Sequence, residues 1–171
     1  IGFPSDYTIY DESDSCSLLK SIIKEMDLSD KLYKPSLVHK HISLAKNHVC
    51  LPENYAVDGA YRGRDEKDGL SEIYNIYKVY NQRLKQANAM DFDDILLHTH
   101  LLFHKNPDIR RKYSEKYKFI LVDEYQDTNT VQQDIVHCLA SVNGKVCAGG
   151  DDAQSIYAFR GANINNVLYF E

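Results

Sequence analysis

The stretch LVDEYQDTN, residues 121–129, sets Asp123 and Glu124 directly behind the apolar run FILV. Two adjacent acids at the end of an apolar strand can divide two tasks. One carboxylate holds a hard divalent cation, often through water. The other orients or deprotonates an attacking water. Together they suit hydrolysis of a phosphoanhydride, in which the cation offsets phosphate charge. The same pair could instead cap the following helix through its N-terminal amides. A second polar cluster follows in GGDDAQSIYAFRGA, residues 149–162. Gly149 and Gly150 allow close backbone approach, and Gln154 offers a neutral amide to a phosphate oxygen. Tyr157, Phe159 and Arg160 offer ring faces and a guanidinium, which suit unstacked bases and a phosphate backbone. The segment YAFR also suits a half-buried turn.

The elements around these clusters must bring them together. KFILVDE reads as a buried strand, and Val131, Ile135, Val136 and Leu139 mark a helix. KVCAGGD reads as a second buried strand with a glycine-rich end. Strand, helix, strand over so short a span is a βαβ unit and hence a parallel sheet. Ligands sit beyond the carboxyl ends of such strands, where both polar clusters stand. The first half of the chain reads differently. DYTIY (6–10) is a short strand. Leu18, Leu19, Ile22, Ile23 and Met26 mark a helix with Asp and Ser ahead of it as caps. A weaker helix covers KPSLVHKHISLAKNHV. Residues 51–69, broken by Pro52, Gly59, Gly63 and Gly69, read as a long mobile loop. A strong helix runs from Ile73 through Ile76, Tyr77, Tyr80 and Leu84, another over MDFDDILLHTHLLFHK, and a short one over DIRRKYSEKY.

FILVDEYQDTN and GDDAQSIYAFRGA, with Gln154 30 residues beyond Glu124, resemble motifs II and III of the UvrD/Rep/PcrA family of superfamily 1 DNA helicases. AMDFDDILL (89–97) resembles the segment by which that family re-enters its first motor domain. YTIYDESD resembles the stretch before its helical insertion. The resemblance implies an α/β fold: a partial P-loop-NTPase (RecA-like) parallel sheet with helices, plus an all-α inserted subdomain. Residues 1–10 would be the tail of motor subdomain 1A, 11–88 helical subdomain 1B, and 89–171 the later part of 1A. It implies ATP and Mg²⁺ as cofactors. Asp123 matches the Walker B aspartate that coordinates Mg²⁺, and Glu124 the catalytic base. Gln126 and Asp127 match positions tying the ATP site to neighbouring motifs, and Gln154 the γ-phosphate sensor. Tyr157 and Phe159 match rings that stack on single-stranded DNA, and Arg160 a basic motif residue. The family commonly has Trp where this chain has Phe159, so weaker stacking is expected. Implied partners are single-stranded DNA and single-strand/duplex junctions, with repair or replication proteins reached through 1B. Unwinding would run 3′→5′.

The phosphate-cradling pattern G-x-x-x-x-G-K-[ST] does not occur. The only Gly-Lys, Gly144-Lys145, is followed by Val146 and has Leu139 in place of the first glycine. The chain therefore reads as an internal slice, inactive by itself, of a larger helicase. Two rivals stand beside this reading: a helicase–nuclease subunit with the same motor, and a non-catalytic docking or DNA-contact module. Net charge is −5 and uneven, with 12 basic and 13 acidic residues in 1–88 against 8 and 12 in 89–171. Nucleic-acid binders usually show a basic balance, so a DNA site must rest on local residues. No run of about 18 apolar residues and no signal peptide appears, so no membrane association is expected. Cys16, Cys50, Cys138 and Cys147 form no CxxC pair and read as reduced thiols. The expected location is cytoplasmic, at the nucleoid in a bacterium. His100 and His104 stand four apart on a predicted helix, a metal-binding spacing for which the sequence offers no third ligand, so they read as ordinary helix-surface or core histidines. His48 and Cys50 likewise lack a partner pair. Tyr74, Tyr77 and Tyr80 could form a DNA-facing strip, against which core packing is the preferred reading at least for Tyr77 and Tyr80.

Overall fold

The computed structural model describes residues 2–151, 153 and 162. The expectations for Gln154, Tyr157, Phe159 and Arg160 lie outside the described residues. The chain divides into two compact units, Ile1–Ile95 and Leu96–Glu171, each mixing helix with a two-stranded parallel sheet.

In the first unit β1 (Thr8–Tyr10) pairs in parallel with β2 (Ala89–Asp91), Thr8 opposite Ala89. Between them run α1 (Glu12–Glu25), α2 (Pro35–Asn47), α3 (Pro52–Tyr55), α4 (Gly59–Lys67) and α5 (Ile73–Gln86). Asp11 starts α1 through a capping box with Asp14. Leu19, Ile22 and Ile23 of α1 meet Val38, Ile42 and Ala45 of α2 and Ile73, Ile76 and Leu84 of α5 in one core. The i, i+3, i+4 spacing places them on single helical faces, and each such side chain stabilises by about 1.5–3 kcal/mol when fully buried. Tyr77 and Tyr80 belong to this core. Their hydroxyls donate to Cys50 O at 3.0 Å and Asp91 Oδ2 at 2.9 Å, so neither faces outward.

The long loop expected over residues 51–69 is instead two helices, α3 and α4. Pro52 occupies the first turn of α3, where its missing N–H costs nothing. Asp58 caps α4 by accepting from Ala60 N at 2.8 Å and Tyr61 N at 3.3 Å. Buried Asp65 then ties three helices together. It accepts from the Tyr55 hydroxyl at 2.6 Å and lies 2.9 Å from His41 Nδ1. Burial, followed by this carboxylate, pushes the Tyr55 phenol well above its ordinary pKa. Tertiary contacts thus outweigh the local cost of Gly59 and Gly63.

The second unit takes up α6 (Phe92–Lys105) from Leu96 onward, then α7 (Pro107–Lys116), β3 (Ile120–Val122), a 3-10 turn (Tyr125–Asp127), α8 (Thr130–Ala140) and β4 (Val146–Ala148). The strands β3 and β4 pair in parallel, Ile120 opposite Val146, with α8 as the crossover. Ser114, fully buried on α7, accepts from Val142 N at 2.9 Å, and its carbonyl accepts from Asn143 Nδ2 at 2.7 Å. The apolar runs read as buried strands are only half covered. Leu121 is 79% and Phe119 67% exposed, and Cys147 is exposed as well. Parallel sheets need cover on both faces. Among the described residues only one face of this sheet receives it, so alternate residues stay open. No described helix is long and apolar enough to cross a membrane.

Candidate functional site

The carboxyl ends of β3 and β4 are laced together by backbone. Gly149 N donates to Val122 O at 2.8 Å, and Tyr125 N donates to Gly149 O at 2.9 Å. Glu124 lies between these bonds with φ 51° and ψ 43°, a left-handed conformation that costs a non-glycine residue about 1–3 kcal/mol. Its N–H turns back to Asp123 Oδ1 at 3.0 Å. Its carboxylate is held from below: Gln126, fully buried, donates from Nε2 to Glu124 Oε2 at 2.6 Å. The other end of the same amide accepts from Asp151 N at 3.1 Å. One buried glutamine therefore links the Glu124 carboxylate to the backbone just beyond Gly149 and Gly150.

Helix capping does not account for the two acids. The α8 N-terminus is closed by its own box, with Asn129 Oδ1 accepting from Gln132 N at 2.8 Å and Gln132 Oε1 accepting from Asn129 N at 3.0 Å. Asp123 and Glu124 remain exposed at the strand end. Asp127 contributes a buried Oδ1 with no hydrogen-bond partner among the described residues.

The two glycines leave room where side chains would intrude. A Cβ on Gly149 would stand 3.5 Å from Asp123 Oδ1, an ordinary contact. A Cβ on Gly150 would stand 2.5 Å from Gln126 Oε1 and 3.3 Å from Tyr125 N. Gln126 is pinned at both ends and cannot swing away freely. Gly150→Ala is therefore expected to cost about 1–3 kcal/mol, the range for overpacking, while Gly149→Ala stays within about 0.5 kcal/mol. Urea denaturation of both variants checks this, and equal costs would show that Gln126 yields. An exposed carboxylate at a strand end, beside a backbone without side chains, fits a hard cation that keeps most of its waters.

Sequence reasoning missed a buried charge cluster in the first unit. Lys46, whose side chain is fully buried, places Nζ 2.7 Å from both Asp91 Oδ2 and Asp94 Oδ1. The two acids form a reciprocal box at the start of α6: Asp94 N donates to Asp91 Oδ1 at 2.8 Å, and Asp91 N to Asp94 Oδ2 at 3.2 Å. Burial pushes Asp94 up to about 6. Burial acts the same way on Asp91, but the Lys46 ammonium and its hydrogen bond outweigh it and hold that carboxyl below its ordinary value. The D-x-x-D spacing signalled the box, but nothing in sequence signalled Lys46. An acid also meets the histidine pair. Asp134 Oδ2 lies 2.6 Å from His100 Nδ1 and 2.6 Å from His104 Nε2.

A parallel βαβ unit with paired acids at one strand end and glycines at the next places its polar groups beyond the carboxyl ends of the strands, where open α/β sheets bind ligands. The model of the UvrD/REP helicase N-terminal domain matches residues 1–171, and the chain belongs to that family. It is 41% identical over 172 residues to a probable DNA helicase II homolog of Rickettsia felis, covering all of this chain and 25% of that protein. It is 38% identical over 172 residues to the ATP-dependent DNA helicase PcrA of Bacillus subtilis, covering 22% of that protein, and 37% identical to PcrA of Leuconostoc citreum. The chain thus spans about a quarter of the length of the curated relatives it matches.

Proposed function

We propose that the protein carrying this chain is an ATP-dependent DNA helicase, and that the crevice at the ends of β3 and β4 is part of its ATP site. The observation that supports this most is the Glu124 carboxylate. It stands exposed at a strand end, in a strained backbone, steered by a buried glutamine that also holds the neighbouring strand's loop. Strain of this kind persists where the surroundings over-determine it, and it concentrates at working sites. Glu124 accepts the proton of the attacking water, and Gln126 aims it. Asp123, the Walker B residue in this reading, holds Mg²⁺ through water. Bound Mg²⁺ supplies charge compensation at the phosphates. Asp127, whose buried Oδ1 has no hydrogen-bond partner among the described residues, ties this site to neighbouring motifs in the family reading.

Gln154 serves as the γ-phosphate contact, and Tyr157, Phe159 and Arg160 contact single-stranded DNA. These four assignments follow the family resemblance, as do 3′→5′ translocation and action at junctions. The domain reading is equally ours: residues 1–10 and 89–171 are parts of a RecA-like motor subdomain, and 11–88 are a helical insertion. The parallel pairing of β1 with β2, on either side of those helices, supports it. Repair or replication proteins would dock on the insertion, and the protein would work in the cytoplasm at the nucleoid.

The test is ATPase and strand-separation activity of the protein carrying this chain, measured with and without single-stranded DNA. DNA-stimulated ATPase accompanied by unwinding is the expected result, and absence of both overturns the reading. The 171-residue chain alone is expected to show no turnover, because it contains no G-x-x-x-x-G-K-[ST] loop to cradle the phosphates. DNA-stimulated hydrolysis by that chain would contradict this.

A further inference from the structure

The geometry points to a binding site for a divalent transition-metal ion of the zinc class, formed by His100 and His104 of α6 and Asp134 of α8. All three lie within the second unit. The two histidines are one helical turn apart, and their rings are tilted 34° to each other with centroids 4.3 Å apart. Residues four apart on a helix present their side chains on one side, which is how helical histidine pairs chelate. Asp134 meets them from the opposite helix, and the three ligand atoms lie within 4.8 Å of one another.

The contacts are not those of a settled hydrogen-bond network. His104 Nε2 lies in hydrogen-bonding position to Asp134 Oδ2. His100 Nδ1 is buried and equally close to that oxygen, yet makes no hydrogen bond among the described residues. Two imidazole nitrogens thus converge on one carboxylate oxygen, with only one contact aligned for a proton. A cation between the three atoms uses all three lone pairs. In a tetrahedral site with bonds of about 2.0–2.2 Å, ligand atoms stand roughly 3.3–3.5 Å apart. The carboxylate must therefore back away by less than about 1 Å, and the two imidazole nitrogens, which lie within 4.8 Å of each other, must settle at the same spacing. Asp134 is about one-third exposed on the α8 surface and has room to do so.

The donor set selects the metal class. Two imidazoles and one carboxylate suit zinc, cobalt or nickel, and they disfavour magnesium and calcium, which take oxygen ligands. The fourth position opens to solvent on the side of His104, which is 45% exposed. Cys138 follows Asp134 by one turn, with Sγ 3.8 Å from His104 Nε2. It is not assigned as a ligand, because its side chain is buried and, among the described residues, the group whose ligand atoms lie within 4.8 Å of one another is His100, His104 and Asp134. Bound metal clips α6 to α8, the crossover helix that begins six residues after Glu124.

The experiment uses the protein carrying this chain, free of any affinity tag, stripped with chelator and dialysed. Zn²⁺ is titrated in competition with a chromophoric chelator, with a 100-fold excess of Mg²⁺ present throughout. The expected result is one equivalent bound. His104→Gln and Asp134→Asn should each weaken it at least tenfold, while His137→Ala, an exposed neighbour on α8, and Cys138→Ser leave it unchanged. A second readout is the unfolding midpoint, which Zn²⁺ should raise in the parent and not in His104→Gln, because ligands of the folded state stabilise by mass action. Equal Zn²⁺ affinity in parent, His104→Gln and Asp134→Asn overturns the proposal. So does suppression of binding by Mg²⁺, and so does loss of the site in Cys138→Ser alone.

Discussion

Replacing Glu124 with Gln in the protein carrying this chain is expected to lower ATP turnover by about 10²–10⁴, the scale of a lost general base. Nucleotide affinity should hardly change. The substitution keeps shape and length, and a Gln side-chain oxygen still accepts the hydrogen bond that Gln126 Nε2 gives to Oε2. It removes only the group that can take a proton. The left-handed backbone at Glu124 is a property of the turn and is retained. Gln126→Ala should behave differently. The base stays but loses its tether, as does Asp151 N, so turnover falls by a smaller factor while stability falls too. Single-turnover hydrolysis beside equilibrium nucleotide binding separates the two cases. If Glu124→Gln hydrolyses near the parent rate, the exposed acid is not the base, and the αL geometry needs another explanation.

The largest expected effect on stability lies elsewhere, at Lys46. Lys46→Met removes the one charge lying between Asp91 and Asp94 and leaves two buried carboxyls facing each other. Breaking a buried ion cluster from one side costs about 3–5 kcal/mol, because the remaining charge has no compensation. The Tyr80 hydroxyl, which donates to Asp91, offsets little of this. The triple variant Lys46→Met, Asp91→Asn, Asp94→Asn should recover much of the loss, since no charge is then stranded. Urea denaturation of the single and triple variants is the measurement, and equal stability of both would show that packing rather than charge dominates.

The same cluster sets a pH dependence. Asp94 is held at about 6, above its unfolded value of about 3.9. The folded state therefore binds the extra proton between those values, and the Asp94 contribution to stability is lost as pH rises from about 4 through 6. Asp91, shifted the other way, makes its contribution change at lower pH. Asp94→Asn should flatten the stability profile between about pH 4 and 6, and an unchanged slope there would show that Asp94 does not titrate in that window.

The sequence alone determined what local pattern can specify. The periodicity of Leu19, Ile22 and Ile23, and of Ile73 through Leu84, marked buried helical faces, because a helix buries a stripe whichever neighbour covers it. The βαβ unit and the placing of Asp123 and Glu124 at a strand end were legible for the same reason. A short apolar run between helices, followed by acids, has few other uses in a parallel sheet. Whatever required one segment to meet a distant one was decided only by tertiary structure. Residues 51–69 contain enough glycine to read as loop, and they are helical because Asp65 finds Tyr55 and His41. The steering of Glu124 depends on a buried amide that also reaches Asp151, 25 positions away. Lys46 meets two acids 45 and more residues downstream, and Asp134 completes a histidine pair 30 residues upstream of it. Burial of polar and charged groups is set by partners across space, and no window of neighbouring residues encodes who those partners are.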